Sequence, residues 1–354
     1  MTTVGIVGAG TMGAGIAQVA LESGEAVLLH DIDPAALERA RERIRAGLAR
    51  RAARLGLDAD AIDDWAEGRL GGLHGAATIE ALAGPADLVV EAALEDLDHK
   101  RAIFRALDAT ARPDVILATN TSALSVTAIA RGLASPGRVL GLHFFNPVPL
   151  MALVEVVVTE RTDPAVADEA ERRISAWGKT TVRCADSPGF IVNRVNRPFT
   201  IEALRMLEAG EASVVAIDAA MREAGYPMGP FELMDLTGVD VSLAAARAVW
   251  SGLGKPDRLR PSPIQEQLVA QGHLGRKTGR GFYRYRDGRR GEVDAAFTAT
   301  VPATPRTSVT IVARTESAIS TEAGLAAADG IATADDIALA LRLGAGHPRS
   351  PFRS

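Results

Sequence analysis

The chain has 354 residues, enough for two domains and a short further piece, and 47% of them are apolar, so an ordinary buried core is expected. A net charge of -5 without a long basic run gives nucleic-acid binding no electrostatic footing, and the one cysteine, Cys184, excludes a disulfide framework within the chain. Met1-Thr2-Thr3 runs straight into an apolar stretch with no secretory-signal pattern, and no window nears the roughly 20 apolar residues of a membrane span, so the expectation is a soluble cytoplasmic protein that engages neither nucleic acid nor membrane.

Val4 to Val7 reads as a buried strand, Thr11 to Ser23 has helical spacing, and Ala26 to His30 is a second strand. Pro34 to Leu55 is a long Ala/Arg/Glu helix with apolar positions every three or four residues. Further strands are expected at Leu88 to Ala92, Val115 to Ala118, Val139 to His143 and Leu153 to Val158, most of them separated by helical stretches. Such alternation implies a mainly parallel sheet covered by helices. After Asp186-Ser187-Pro188-Gly189 the pattern turns helical, from Phe190 to Gln271, and a Gly-rich turn at 275–281 leads into a closing segment, Phe282-Tyr283-Arg284-Tyr285.

Residues 287–307, rich in Gly, Pro, Thr and Arg, read as a linker. Beyond it the chain echoes itself. Gly210-Glu211-Ala212-Ser213, Ile217, Ala220-Met221-Arg222, Gly225-Tyr226-Pro227 and Pro230-Phe231 recur as Gly330-Ile331-Ala332-Thr333, Ile337, Ala340-Leu341-Arg342, Gly346-His347-Pro348 and Pro351-Phe352, with one inserted residue. Chance likeness between two Ala-rich helices is the plainer explanation, but the shared Gly-aromatic-Pro ending favours a truncated second copy. The expected fold is an α/β Rossmann-type dinucleotide-binding domain at 1–185, an all-α C-terminal domain at 186–286, the linker at 287–307 and a partial repeat of the helical unit at 308–354.

Gly8-Ala9-Gly10-Thr11-Met12-Gly13 follows a strand and opens a helix, the context that separates a dinucleotide-binding G-x-G-x-x-G from a plain Gly-rich turn. Gly8 permits the tight turn, Gly10 lets the backbone approach a pyrophosphate, and Gly13 allows close helix–strand packing; the helix N-terminus attracts the phosphate charge. Asp31 ends the second strand, where a carboxylate binds ribose hydroxyls and repels a 2′-phosphate, so NAD is favoured over NADP. Asp33-Pro34 already offers a helix cap, which leaves Asp31 for the ribose.

A lone histidine at a strand end, such as His143, is more often structural than catalytic. Glu155 changes that reading, because an ionisable residue inside Leu153-Val154-Glu155-Val156-Val157-Val158 needs a partner. A strand, a Pro-rich turn and a return strand would bring it to His143, and a carboxylate beside imidazole makes a general base for an alcohol. Asn120-Thr121-Ser122 follows a strand at the carboxyl edge, where ligands bind in open α/β sheets; it is either a substrate-binding turn or an ordinary Asn/Ser turn. Asn193 stands where the helical domain begins, as a cap, a bridge or a reach toward a substrate carbonyl.

Gly8 to Gly13, Asn120-Thr121-Ser122, His143-Phe144-Phe145-Asn146-Pro147, Leu153-Val154-Glu155, Pro188 to Arg194, Gly225 to Glu232 and Lys277-Thr278-Gly279-Arg280-Gly281-Phe282-Tyr283 together resemble the 3-hydroxyacyl-CoA dehydrogenase family over about residues 3–286, in order and with the family's spacing. The tail echo is similar to the repeated C-terminal unit of some bacterial and multifunctional members. The resemblance implies that His143 is the catalytic base and Glu155 its partner, and that Ser122 and Asn193 hold the substrate's 3-oxygen and nearby thioester region. It implies NAD contacts at Asp31, Glu95, Lys100, Ser122, Asn146 and Lys277, besides Gly8, Ala9, Gly10, Thr11, Met12 and Gly13. The stretch from about 34 to 70 resembles the helical arm that receives coenzyme A. Gly47 stands where the family places a Ser, and Arg50, Arg51 and Arg54 either compensate with charge or form a solvated helix face.

The resemblance implies NAD-dependent oxidation of (S)-3-hydroxyacyl-CoA to 3-ketoacyl-CoA, reversibly, with the acyl-CoA entering between the two domains, no metal, and a homodimer formed through the helical domain. Two alternatives stay open. One is a dehydrogenase of a non-CoA hydroxy acid, such as a sugar acid or a carnitine-like compound. The other is a non-catalytic NAD-binding protein, against which the intact Ser122, His143, Glu155 and Asn193 set argues.

Overall fold

Apolar runs of four to six residues, alternating with capped amphipathic helices, build the first part of the chain. In a computed structural model that describes residues 2–298 and 306–352, the elements follow in the order β1 (Thr3–Val7), α1 (Thr11–Glu22), β2 (Ala26–His30), α2 (Pro34–Arg54), α3 (Ala59–Leu70), β3 (Leu73–Gly75), α4 (Ile79–Ala83), β4 (Leu88–Glu91), α5 (Leu97–Thr110), β5 (Ile116–Thr119), α6 (Val126–Ile129), β6 (Val139–Phe144), β7 (Leu153–Val158), α7 (Pro164–Ala176) and β8 (Thr180–Ala185). The chain divides into two units, Met1–Asp186 and Ser187–Ser354.

The first unit is a sheet in the order β3-β2-β1-β4-β5-β6-β7-β8. β1 to β6 are mutually parallel where they pair, β7 runs antiparallel to β6, and β8 parallel to β7. Strand order reverses at β1, which lies between β2 and β4, so a ligand crevice opens at the carboxyl ends of β1 and β4. The central strands are buried along their whole length, as expected of strands covered on both faces. Helix starts follow side-chain chemistry: Asp33, Asp96 and Asp163 accept backbone N–H groups at the starts of α2, α5 and α7, and Pro follows the first and last of them.

The second unit is helical: α8 (Val192–Val195), α9 (Arg197–Glu208), α10 (Val214–Glu223), α11 (Pro230–Thr237), α12 (Val239–Gly252) and α13 (Pro263–Ala270), then β9 (Tyr283–Arg286) and β10 (Arg289–Val293), and finally α14 (Ser308–Ala328) and α15 (Ala334–Ala345). α9 is buried almost all round, which marks it as the central helix. Two buried carboxylates organise the helical unit. Asp218 accepts from the Phe231 and Glu232 amides and the Tyr283 hydroxyl, and Asp235 accepts from the Phe282 and Tyr283 amides.

Residues 287–307 are not all linker. Arg289–Val293 pairs antiparallel with Tyr283–Arg286, and Asp287 and Gly288 between them both take positive φ, the backbone shape of a tight hairpin turn that Asp-Gly favours. The Gly and Arg content masked that dipeptide signal. Part of the expected linker, residues 299–305, lies outside the described residues, as does the end of the expected repeat at 353–354. Among the described residues no helix is long and apolar enough to cross a membrane.

Candidate active site

The Gly-rich turn sits at the carboxyl end of β1. Gly8 has φ +106°, and a Cβ there would lie 2.6 Å from the Ala92 carbonyl oxygen; a Cβ at Gly13 would lie 1.8 Å from the Gly8 oxygen. Both positions therefore exclude any larger residue. Gly10, the N-cap of α1, differs: a Cβ there would meet nothing within 4 Å. That space lies in front of the N-terminus of a 12-residue helix whose first amides favour anionic oxygen, so the turn fits a pyrophosphate. Asp31 braces the turn from β2. Its Oδ2 accepts from the Ala9 amide at 2.7 Å and its Oδ1 from the Asp33 amide at 2.9 Å, while Asp33 caps α2.

The antiparallel β6–β7 pair sets His143 directly opposite Glu155. Directly opposed residues project on the same face of a sheet, and here Nδ1 of His143 meets Oε2 of Glu155 at 2.5 Å. Glu155 is fully buried and His143 is 5% exposed, so this is a desolvated acid–imidazole pair. The Phe145 ring leans on the imidazole, with centroids 4.5 Å apart. Asn120, after β5, accepts from the Phe144 amide through Oδ1 at 2.9 Å and ties the ends of β5 and β6 together.

Ser122 follows on the same edge, in a turn clamped by Glu95. One Glu95 oxygen accepts from the Thr121 hydroxyl at 2.6 Å and from the Ser122 and Ala123 amides at 3.0 and 3.2 Å; the other lies 3.3 Å from Lys100 Nζ. Lys100 is wholly buried and bonds both oxygens of Glu91 at 2.7 and 2.9 Å, and Thr119 donates to that same carboxylate. Glu91 and Thr119, which the sequence reading did not single out, thus anchor the Lys100–Glu95 turn support. The clue was present: Glu91 ends an apolar strand, as Glu155 sits within one.

A cleft of about 280 Å³ opens between α1, α2 and the loop that follows His143, lined by Thr11, Gly15, Arg43, Arg50, Arg54 and Asn146 among others. Arg43, Gly47, Arg50 and Arg54 recur at helical spacing and share one face of α2. Arg51 does not join them. One residue on from Arg50 it is turned about 100° around the helix, and its Nε lies 3.7 Å from Glu22 instead. Arg43, unnoticed in the sequence, lines the cleft with Arg50 and Arg54, and among the described residues no carboxylate pairs with Arg43, Arg50 or Arg54. Gly47 has a packing reason of its own, since a Cβ there would fall 2.0 Å from Oε1 of the buried Gln18. Lys179 holds the cleft's loop wall by donating to the Val148 and Met151 carbonyls, and burial lowers its pKa.

In the helical unit, Asn193 is the second residue of α8. Lys277 lies in a short 3-10 turn, where Nζ bonds both oxygens of Asp240 at 2.6 and 2.8 Å. Among the described residues no group of three or more His, Cys, Asp or Glu side chains could hold a metal ion.

Residues 3–187 match the family described as 3-hydroxyacyl-CoA dehydrogenase, NAD binding domain, and residues 189–285 match its C-terminal domain. The 3-hydroxyadipyl-CoA dehydrogenase of Escherichia coli K12 is 48% identical over 285 residues, a match that covers 80% of this chain but only 59% of that protein's length. The rat mitochondrial hydroxyacyl-coenzyme A dehydrogenase is 42% identical over 286 residues, covering 80% of this chain and 91% of the relative. Among solved structures, the 3-hydroxybutyryl-CoA dehydrogenase of Escherichia coli K12 aligns with a TM-score of 0.88 at 37% identity, over 99% of this chain and 90% of that one. The (S)-3-hydroxybutyryl-CoA dehydrogenase of Ralstonia eutropha aligns with a TM-score of 0.75 at 38% identity, over 81% of this chain and 100% of that one.

Proposed function

Since the chain belongs to the 3-hydroxyacyl-CoA dehydrogenase family, we propose that it oxidises (S)-3-hydroxyacyl-CoA thioesters to 3-ketoacyl-CoA, reversibly, with NAD and with His143 and Glu155 as the acid–base pair. NAD, when bound, supplies the hydride acceptor; Gly8 to Gly13 would hold its pyrophosphate and Asp31 its ribose. The observation that carries the reading is the 2.5 Å contact between His143 and Glu155 at the carboxyl edge of the sheet. A carboxylate on Nδ1 fixes the tautomer with hydrogen on that nitrogen and gives Nε2 the lone pair of a base. His143 takes the proton of the 3-hydroxyl, and Glu155 stabilises the imidazolium that forms. Ser122 donates to the 3-oxygen, and in the reverse direction steadies the alkoxide as it develops. Asn193 is assigned to the thioester region on its motif alone.

The coenzyme A ester, rather than a free hydroxy acid, is favoured by the cationic wall of Arg43, Arg50 and Arg54 beside the loop that follows His143. A panel of 3-ketoacyl-CoAs of increasing length, with and without a distal carboxylate, and matching free keto acids, followed by NADH absorbance, tests the substrate class. Thioesters should turn over far faster than free acids; the reverse order would overturn the coenzyme A assignment. His143→Gln should lower turnover by at least ~100-fold with the fold intact. Near-normal turnover in that variant would remove the proposed base.

A further inference from the structure

We propose that Arg197 is a specificity-determining residue that binds a carboxylate at the far end of the acyl chain, so that the preferred substrate is a 3-hydroxyacyl-CoA whose chain ends in an acid rather than a methyl group. This rests on the reading given above, in which the chain oxidises a coenzyme A thioester and Asn193 serves the thioester region.

Four lysine or arginine side chains are buried among the described residues: Lys100, Arg138, Arg194 and Arg197. Three of them are neutralised by a carboxylate. Lys100 has Glu91, Arg138 has Asp108, and Arg194 has Glu322 and Asp329. Arg197 has none. Its one hydrogen bond among the described residues is a long one, from Nε to the Asn193 carbonyl at 3.3 Å. Arg138, by contrast, shows what a structural arginine does: besides its ion pair it donates to the carbonyls of Ala111, Arg112 and Asp108.

A guanidinium left in that state weakens the fold. Arg197 is 9% exposed, and an ionised group taken out of water without a partner is strongly destabilising. Burial lowers its pKa to about 10, and no carboxylate acts to hold it up. Arg197 also opens α9, a 12-residue helix, at the end where the helix dipole disfavours a cation. Stability alone gives no reason for such a residue, whereas an anion that arrives with a ligand does.

The head group can be reached. Among the described residues, the sealed side-chain polar atoms without a partner are Nε of Arg69 and Nε of Arg138. The terminal nitrogens of Arg197 bond nothing and are not of that kind, so they border open space.

Position narrows the choice of anion. The bond to the Asn193 carbonyl fixes the guanidinium beside the residue assigned to the thioester region. One turn further along α9, Ile201 packs with Val249 and Leu259 and offers no charge. The phosphates of NAD and of coenzyme A are assigned to the Gly-rich turn and to Arg43, Arg50 and Arg54, all of them in the first unit. A carboxylate on the acyl chain itself, a few carbons beyond C3, is the anion that remains. Guanidinium suits it, because its fork meets both oxygens at once and a lysine ammonium does not.

The probes are 3-ketoadipyl-CoA and 3-ketohexanoyl-CoA, six-carbon acyl chains that end in a carboxylate and a methyl group, reduced by the full chain with NADH. kcat/KM should be at least about 100-fold higher for the acid-ended chain, since a site built around a polar group of its substrate rejects an analogue that lacks it. Arg197→Met, which keeps the length and removes the charge, should bring that ratio to one or below, by losing activity on the acid and gaining it on the methyl-ended chain. Its urea midpoint should hold or rise, because a lone buried charge is gone. Arg197→Lys should give an intermediate ratio, with charge kept and the fork lost. A ratio near one in the unaltered chain would overturn the inference. So would a Met variant that loses stability yet keeps the preference or, should that variant fail to fold, a Lys variant whose ratio is unchanged. Failure of both thioesters to react would instead bring down the dehydrogenase reading, and this inference with it.

Discussion

Charge pairs at the sheet edge join residues near one another in the chain: His143 and Glu155 are 12 apart, Glu91 and Lys100 nine. In the helical unit, Arg194–Glu322 and Arg314–Glu202 join residues 128 and 112 apart. The first kind forms as soon as one hairpin or one strand–helix turn is made. The second exists only once the tail has docked. The sheet edge and the helical unit are therefore held by pairs of different reach, and damage to one should leave the other largely intact.

The severest break is expected in the helical unit. Glu322→Ala leaves the buried Arg194 with Asp329 alone and removes the partner of Arg258 as well, so about 3 to 5 kcal/mol of stability should disappear from that unit in a urea titration. Amides of β1, β4 and β6 should exchange as before; if they loosen equally, the separation between the two kinds of pair is wrong. Next comes Glu155→Gln, which strips the imidazolium of its counter-charge and should reduce turnover by ~100-fold while shifting the urea midpoint little. A large loss of stability with normal turnover would reassign this pair to structure. Smaller still, Arg50→Ala with Arg54→Ala should raise KM for a coenzyme A thioester about tenfold, leave kcat near its starting value, and do so less at high salt. An effect on kcat alone would point away from phosphate binding.

The least effect is a pH dependence of the tail. Burial lowers the pKa of His347 to about 4 from an ordinary 6.5, and its Nε2 lies 2.8 Å from Asn196 Oδ1. Tyr226, Glu316 and Arg349 face it in one cavity, and Asp335 and Arg342 in another. A depressed folded-state pKa means that the unfolded state binds the extra proton, so this contribution is complete above about pH 6.5 and declines as pH falls toward about 4. Exchange of α15 should quicken over that window, and His347→Gln should flatten the response.

Where local patterns matched physical need, the sequence was readable. The β1–α1–β2 alternation with its glycines gave the nucleotide-binding edge, and one acidic residue inside an apolar strand pointed to His143 and Glu155. Other features depended on tertiary context. Leu73–Gly75 is too short for periodicity to reveal, and it is a strand because β2 offers it an edge. Thr180–Ala185 mixes Thr, Arg and Cys and alternates burial at the far edge of the sheet, so no apolar run announced it. Arg43 rather than Arg51 shares the cleft face of α2 with Arg50 and Arg54, because each residue turns the helix by about 100° and sequence neighbours point to different faces. Lys100 sits on the expected edge, yet its ammonium is enclosed by Glu91, a partner nine residues away that is visible only once β4 and α5 are folded together.

Both oxygens of Asp31 are already bonded to the protein, one to the Gly-rich turn and one to the start of the next helix. The side chain proposed to select the cofactor is therefore also the one that holds the loop in shape. Exchanging that carboxylate for a neutral or basic group, the obvious route to a phosphorylated dinucleotide, would also release the Ala9 amide and let the turn relax. Redesign toward the other coenzyme would have to install a new anchor for the glycine loop before it changed the charge.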